Sequence, residues 1–486
     1  MIKKILIWAG ILLAVLLSIL LFNTLRTKPW PVKQADAMQQ PLPDSAIRHI
    51  SRAIRIPTIS YSDTSAIDTA AFKTFGFFLQ SAYPLVHSKL IKTTIDHFSY
   101  VFEWKGQNAA LAPIILMGHY DVVPVEPAAL DKWTVGPFSG AITDTVIWGR
   151  GSSDDKCSVI SILEATEAML RKGFVPQRTI YLCFGHDEEV LGHGAAEIVK
   201  YLEQKKVHAE MVLDEGGEIT EAKIPEVKRP VAAIGIAEKG YASFELSVQK
   251  EGGHSSMPDK ETSIDILSAA LFKLRSETTP AKITPPVREF MHRIGSSSEI
   301  FTNKMASANM WLFEGVAKGI LSEKLEGNAM IRTTIVPTIL KSGIKDNVIP
   351  SSALAIINSR ILPGENAKWV EDYIRKTIQD DRVIIKRVDK YGADPSSPTS
   401  IESPAYKRVE SAVYRIVPNV LPTPYLMIGA TDSRYYRRIS DGVVNFFPAT
   451  DSKGYHGYNE RVQVSAFRRG INFMMTIIEE SNKEFK

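Results

Sequence analysis

Apolar and polar positions fall into four regimes along the chain. Residues 5–25, ILIWAGILLAVLLSILLFNTL, carry no charge over 21 positions, and a helix of that length can span a hydrocarbon core about 30 Å thick. Residues 26–44 read as a linker. From 45 to 239, continuous apolar runs (PIILMG before His119, TIYLCFG before His186, AEMVLD ending at Asp214) are each followed by a polar or glycine-rich turn. Helix-period stretches at 157–171 and 193–205 come after such turns. Buried strands alternating with helices predict an α/β domain with a mostly parallel central sheet. Between 240 and 390 the period changes: 241–249 and 353–361 alternate apolar with polar residues, as antiparallel strands with one wet face do, and helical patterns follow at 261–276 and 366–379. This predicts an α+β unit inserted into the first domain. The α/β pattern resumes over 391–486, with a strand at 442–448 and a closing helix at 465–480.

Composition narrows the picture. A chain of 486 residues with 44% apolar residues has material for several cores and exceeds one ordinary domain. A formal charge of +4 with scattered basic residues offers no footprint for nucleic acid. Cys157 and Cys183 both lie in apolar segments and read as buried thiols. Lys3 and Lys4 precede the apolar segment as in a secretory signal, but the segment is long for a cleaved one. The nearest small-x-small triplet, Ala35-Asp36-Ala37, is displaced beyond a basic, proline-containing stretch, so an uncleaved single-pass anchor is expected, with secretion after cleavage as the alternative. Arg26, Lys28 and Lys33 leave orientation unset by charge. The sequence contains no Asn-x-Ser/Thr acceptor, which fits a bacterial envelope with the body outside the cytoplasm.

The candidate chemistry lies at predicted strand ends, where open α/β sheets hold their ligands. GHYDVVP supplies His119 and Asp121, GRGSSDDK supplies Asp154 and Asp155, and GHDEE supplies Glu188 and Glu189. LDEGG supplies Asp214 and Glu215, and HGYNE supplies His456. Asp121, two residues beyond His119, is placed to hold the imidazole in one tautomer. Histidines and carboxylates without cysteine suit zinc or a similar divalent ion, and a shared carboxylate could bridge two. Two such ions activate water against a carbonyl, and a carboxylate that is not a ligand must then move the proton. No G-x-S-x-G elbow and no H-E-x-x-H pair occurs, which removes serine-hydrolase and thermolysin-like readings.

These motifs in this order, with GGHSSMP, NVIP, RILPGE and TDSR, resemble the co-catalytic zinc peptidase and aminoacylase family that includes carboxypeptidase G, carboxypeptidase S and carnosinase. The likeness is closest to the carboxypeptidase S and N-acyl-amino-acid hydrolase branch. It implies a zinc-peptidase catalytic domain over 45–239 and 391–486 and a lid or dimerisation domain over 240–390. It implies two divalent ions, zinc in the family: His119 and Asp214 on one, Glu189 and His456 on the other, Asp154 bridging. Asp121 would orient His119 and Glu188 would be the general base. His254 would stabilise the oxyanion across a homodimer interface formed by the lid, and Arg360 would hold the substrate carboxylate, assisted by Asn328 and Arg332. Asp187, His186 and His193 read as structural. The implied activity is hydrolysis of an amide bond beside a free carboxylate, in short peptides or N-acyl amino acids. The alternatives are synthesis and hydrolysis of fatty-acyl amino acids, or a non-catalytic binding protein on the same fold. The complete set of ligands and base argues against the last.

Overall fold

The computed structural model describes residues 1–486 except 34–41, 62, 64–65, 144, 222–223, 225, 390–391, 451 and 486. The Ala35-Asp36-Ala37 triplet and the expected domain junction at 390–391 lie outside the described residues. A nine-stranded mixed sheet organises the larger part of the molecule. Its centre is parallel: Ile180–Gly185, Ile114–His119, Met211–Asp214 and Val443–Asn445 run side by side. One margin turns antiparallel through Ser99–Trp104 and Ile91–Ile95. The other carries Val231–Glu238 paired in parallel with Leu421–Met427. The central strands are buried on both faces, which is why their sequences read as unbroken apolar runs. Helices Lys156–Arg171 and Val464–Glu480 cover one face within the main core, and His193–Gln204 covers the other.

A second, four-stranded antiparallel sheet is built from Thr334–Ser342, Ser352–Ile361, Gly240–Gln249 and Ile384–Arg387. Ser352–Ile361 alternates buried with wetter positions along its length, the period-2 pattern visible in the sequence. Helices Ser263–Ser276 and Ala367–Ile378 close a separate core with it around Phe244, Leu246, Ile266, Ile357 and Val370. Thr262 and Asp265 form a reciprocal cap at the first helix, and Asn366 caps the second through the Trp369 N–H, so both starts are specified locally. The middle of the inserted segment departs from the α+β expectation. Four helices lie there, Pro285–Ser297, Phe301–Ala308, Met310–Ser322 and Leu325–Ile331, and three of them contribute Val287, Met310, Ala317 and Met330 to a cluster with Leu426 of the large sheet.

Candidate active site

Three parallel strands deliver the site. Ile114–His119 ends at His119, level with Gly185 in the neighbouring strand, and Met211–Asp214 ends beside them. Asp121, fully buried, is the hub of the loops that follow. Its carboxylate accepts the Ser60 hydroxyl at 2.6 Å and the backbone N–H groups of Glu188 and Glu189, both at 3.1 Å. The His119 Nδ1 lies 3.2 Å from its Oδ1. One side chain therefore fixes both the imidazole and the acidic turn, leaving Nε2 of His119 facing the cleft.

Asp154 presents its two oxygens to two histidines. Oδ1 is 3.0 Å from His119 Nε2, and Oδ2 is 3.1 Å from His456 Nε2. Glu215 Oε1 stands 3.2 Å from His119 Nε2, and Glu189 Oε2 stands 3.1 Å from His456 Nε2. Two His-carboxylate clusters thus share one carboxylate. The Asp154–Asp155 peptide is cis. The preceding Gly149-Arg150-Gly151 turn needs its first glycine, at φ +138°, because a Cβ there would collide with the Ile54 side chain.

Within LDEGG both acids lie at the site. Asp214 accepts the Ser433 N–H at 3.1 Å and the Thr431 hydroxyl at 2.7 Å, both on Oδ2. The next residue, Glu215, places its Oε1 beside His119 Nε2, so two neighbouring acids stand near the position that the resemblance gives to Asp214. Asn328 and Arg332 bond to each other. Arg332 Nε donates to Asn328 Oδ1 at 2.9 Å, Nη2 donates to the Ser322 hydroxyl at 3.1 Å, and Nη1 donates to the Thr279 carbonyl. These bonds tie helix ends together.

Arg360 is half-buried with its guanidinium 4.9 Å from the centre of the Tyr241 ring, within electrostatic reach of Glu188. His254 is exposed on a short two-stranded ribbon. Its Nδ1 accepts the Ser256 N–H at 3.1 Å, which puts the proton on Nε2 and leaves a donor pointing outward. Asp187 accepts the Gly194 N–H at 2.9 Å at the start of the His193–Gln204 helix. His186 meets Ser99 and His193 meets Asp96, all away from the His119–His456 cluster.

Sequence reasoning gave no role to Glu460, the last residue of HGYNE. It is fully buried, takes Arg150 Nη1 at 2.6 Å, and accepts the N–H groups of Ser153 and Asp154 at 3.0 and 3.2 Å. It holds the loop that carries Asp154, and its place four residues after His456 was the available signal.

The electrostatics are those of a cation site. Burial pushes the Glu188 carboxyl well up, and Asp432, Glu215 and Glu189 push it further. Hydrogen bonds to Asp154 and Glu189 raise His456 to about 10. Burial opposes protonation of His119, but Glu215, Asp121 and Asp154 outweigh it and raise its pKa well above the usual value. Glu189 Oε1 is buried without a hydrogen-bond partner among the described residues. Crowded carboxylates, two imidazole nitrogens aimed at them and an orphaned oxygen fit divalent cations with nitrogen and oxygen ligands.

Beside Glu215 and Asp155 opens a cavity of about 370 Å³. Phe290, Leu321, Met330, Tyr425, Ile428 and Phe447 supply most of its apolar lining.

An α/β sheet with two carboxylate-linked histidine clusters at its strand ends defines a metal-dependent hydrolase. The chain belongs to the peptidase family M20/M25/M40, whose model matches residues 115–480. It is 37% identical over 445 residues to a probable carboxypeptidase S-like 2 of Dictyostelium discoideum, covering 90% of this chain and 85% of that one. It is 35% identical over 442 residues to the N-fatty-acyl-amino acid synthase/hydrolase PM20D1 of Homo sapiens, covering 89% and 87%. Among solved structures, the M20 family metallo-carboxypeptidase Sso-CP2 of Sulfolobus solfataricus superposes with a TM-score of 0.64 at 19% identity, over 90% of this chain and all of that one. The dinuclear metal binding M20 peptidase YXEP of Bacillus subtilis superposes with a TM-score of 0.55 at 12% identity, over 90% and 98%.

Proposed function

We propose that this M20 hydrolase cleaves the amide bond of N-acyl amino acids bearing a free carboxylate and a bulky apolar acyl group, the class on which the named function of the human relative acts. The observation that carries the reading is the cavity of about 370 Å³ whose largely apolar lining includes Glu215 and Asp155. An acyl chain seated there has its carbonyl beside the histidine clusters.

In this reading His119, Asp154 and Glu215 hold one divalent ion and His456, Asp154 and Glu189 the other, with zinc favoured by the donor set. When bound, such ions polarise the carbonyl and make water acidic. Glu188 takes the water's proton and passes it to the leaving nitrogen, a task suited to a carboxylate whose pKa burial and its acidic neighbours have raised. Arg360 grips the free carboxylate with its planar guanidinium. His254, exposed on its own chain, serves the oxyanion of a second copy. The apolar N-terminal helix anchors the chain to a membrane. Support for retention rather than cleavage comes from Trp30, just after the helix, whose indole donates to the Tyr414 hydroxyl at 3.1 Å beneath the Arg293 guanidinium.

The test is a turnover panel on the metal-loaded full chain: N-acyl amino acids of rising acyl length, their α-amides, and dipeptides. kcat/KM should rise with acyl length, by up to about tenfold for every two added methylenes, and amidation should abolish turnover. A preference for dipeptides with no dependence on acyl length would overturn the acyl-cavity reading and leave a short-peptide carboxypeptidase.

A further inference from the structure

The helix Met310–Ser322 presents its apolar side to solvent. Trp311, Leu312, Val316 and Ile320 are 61%, 43%, 60% and 58% exposed, and Gly315 and Gly319 complete the same stripe, with no charged residue on it. Its charged residues, Glu314 and Lys318, sit at the side and pair with each other at 2.8 Å. A contiguous outward apolar stripe on a helix marks an interaction surface.

The N-terminal helix Ile2–Arg26 indicates what covers it. That helix touches the body near its carboxyl end, where Leu20 and Thr24 are its buried residues and Asn23 Nδ2 donates to Asn309 Oδ1 at 2.8 Å. Asn309 is fully buried and donates back to the Leu20 carbonyl at 3.2 Å. Residues 2–15 are exposed throughout, and the uncharged residues 5–25 measure about 31 Å at the rise of an α-helix, close to the thickness of a hydrocarbon core, with their last turns against Asn309. If they span a bilayer, its surface lies level with Asn309. The next helix begins at Met310, so Trp311 stands where aromatic side chains anchor at the membrane interface.

We propose that the Trp311–Ile320 stripe lies in the bilayer interface beside the anchor, so that the molecule is held by a span and a monotopic helix together. The inner side of this helix reaches the cavity through Leu321, and Lys324 and Met330 continue the wall. The lipid surface thereby becomes the source of an amphiphilic acyl substrate. The inference rests on the anchor reading of Ile2–Arg26.

The experiment uses the full chain, one copy per phosphatidylcholine/phosphatidylglycerol nanodisc. Cys157 and Cys183 are buried, so an environment-sensitive nitrobenzoxadiazole label goes selectively to Val316→Cys, to Leu13→Cys in the span, or to Lys368→Cys on the exposed helix of the second sheet. Nitroxide lipids should quench Leu13 and Val316 strongly and Lys368 little. Quenching of Leu13 without Val316 overturns the proposal and leaves the anchor standing. Quenching of neither overturns both. Protection of Val316 only in discs holding two copies assigns the stripe to a second chain and overturns the lipid assignment. In a parallel assay, Val316→Asp/Ile320→Asp should keep turnover of a soluble N-acetyl amino acid and lose about tenfold on a long-chain N-acyl amino acid delivered in vesicles. Equal long-chain turnover by wild type and variant would remove the delivery role.

Discussion

Adjacent acids occur twice at strand ends, as Glu188-Glu189 and Asp214-Glu215, and each pair divides its work. Glu189 pairs with His456 and Glu215 with His119, while Glu188 and Asp214 make no ion pair with either histidine among the described residues. Glu188→Gln should therefore bind metal normally and lose about 10²–10⁴-fold in kcat, the usual contribution of a general base; metal content by mass spectrometry beside turnover checks this, and near-normal turnover would reassign the base. The second pair permits a sharper comparison. Glu215→Gln should lower metal occupancy. Asp214→Ala should keep its metal at saturation but destabilise the fold by about 1–3 kcal/mol, since it leaves the Thr431–Ser433 turn without its buried acceptor. The opposite pattern would restore Asp214 as the ligand. His119, Asp121 and His456 were legible as candidates because each is the one residue of its kind in its motif, whereas Asp154 and Glu189 were chosen among neighbouring acids by the resemblance; the structure gathers His119, Asp154, Glu189 and His456 together. The choice between Asp214 and Glu215 was not legible, because a strand end turns on a half-period that two neighbouring acids satisfy equally. Glu460 was quoted within its motif but passed over, since an acid that works through backbone N–H groups looks like any other acid in a sequence.

At the scale of elements, the strand Val231–Glu238 passes into Gly240–Gln249 of the second sheet across Lys239 alone. The ammonium of Lys239 is buried and donates to the carbonyls of Ala329 and Arg332 at 2.9 and 2.7 Å, tying the last cavity helix to the junction of the sheets. Burial, reinforced by Arg360, lowers its pKa to about 7. Between about pH 7 and the ordinary lysine value near 10.5 the unfolded chain holds a proton that the folded chain lacks, so this group makes stability rise with pH through that window. Lys239→Met should be less stable overall, having orphaned two carbonyls, and its stability should rise less steeply between pH 7 and 10 in chemical denaturation. Parallel profiles for wild type and variant would exclude the lysine as the source. The strands flanking this junction were legible from their periods. The four helices over 285–331 were not, because the usual signals are spent differently there. Asn309, which precedes Met310–Ser322, makes no side-chain cap and instead holds the N-terminal helix. The outer face of Met310–Ser322 is apolar, which hides the polar stripe that marks a surface helix.

For the whole molecule, the exposed parts of the second sheet bear on how copies meet. Thr334–Ser342 is an edge strand whose Val336, Ile339 and Leu340 are exposed, with Ile344 just beyond, and natural proteins cover such an edge or pair it. His254 stands on the ribbon formed with Val348–Ile349, its outward Nε2–H unused among the described residues. A homodimer joined through this sheet would cover the strand and could bring each His254 to its neighbour's scissile carbonyl. His254→Ala should then lower kcat by about 10²–10³, the effect of removing one oxyanion donor, with metal content unchanged. Inactive Glu188→Gln chains mixed with inactive His254→Ala chains should recover activity, because a mixed dimer contains one site with its own Glu188 and an intact histidine from across the interface. Random exchange makes about half the dimers mixed, so about a quarter of the sites should work. Native mass spectrometry confirms that subunits have exchanged. Exchange without recovery would mean that His254 serves its own chain, after a closure of the second sheet onto the first, and would leave the exposed edge strand to some other contact.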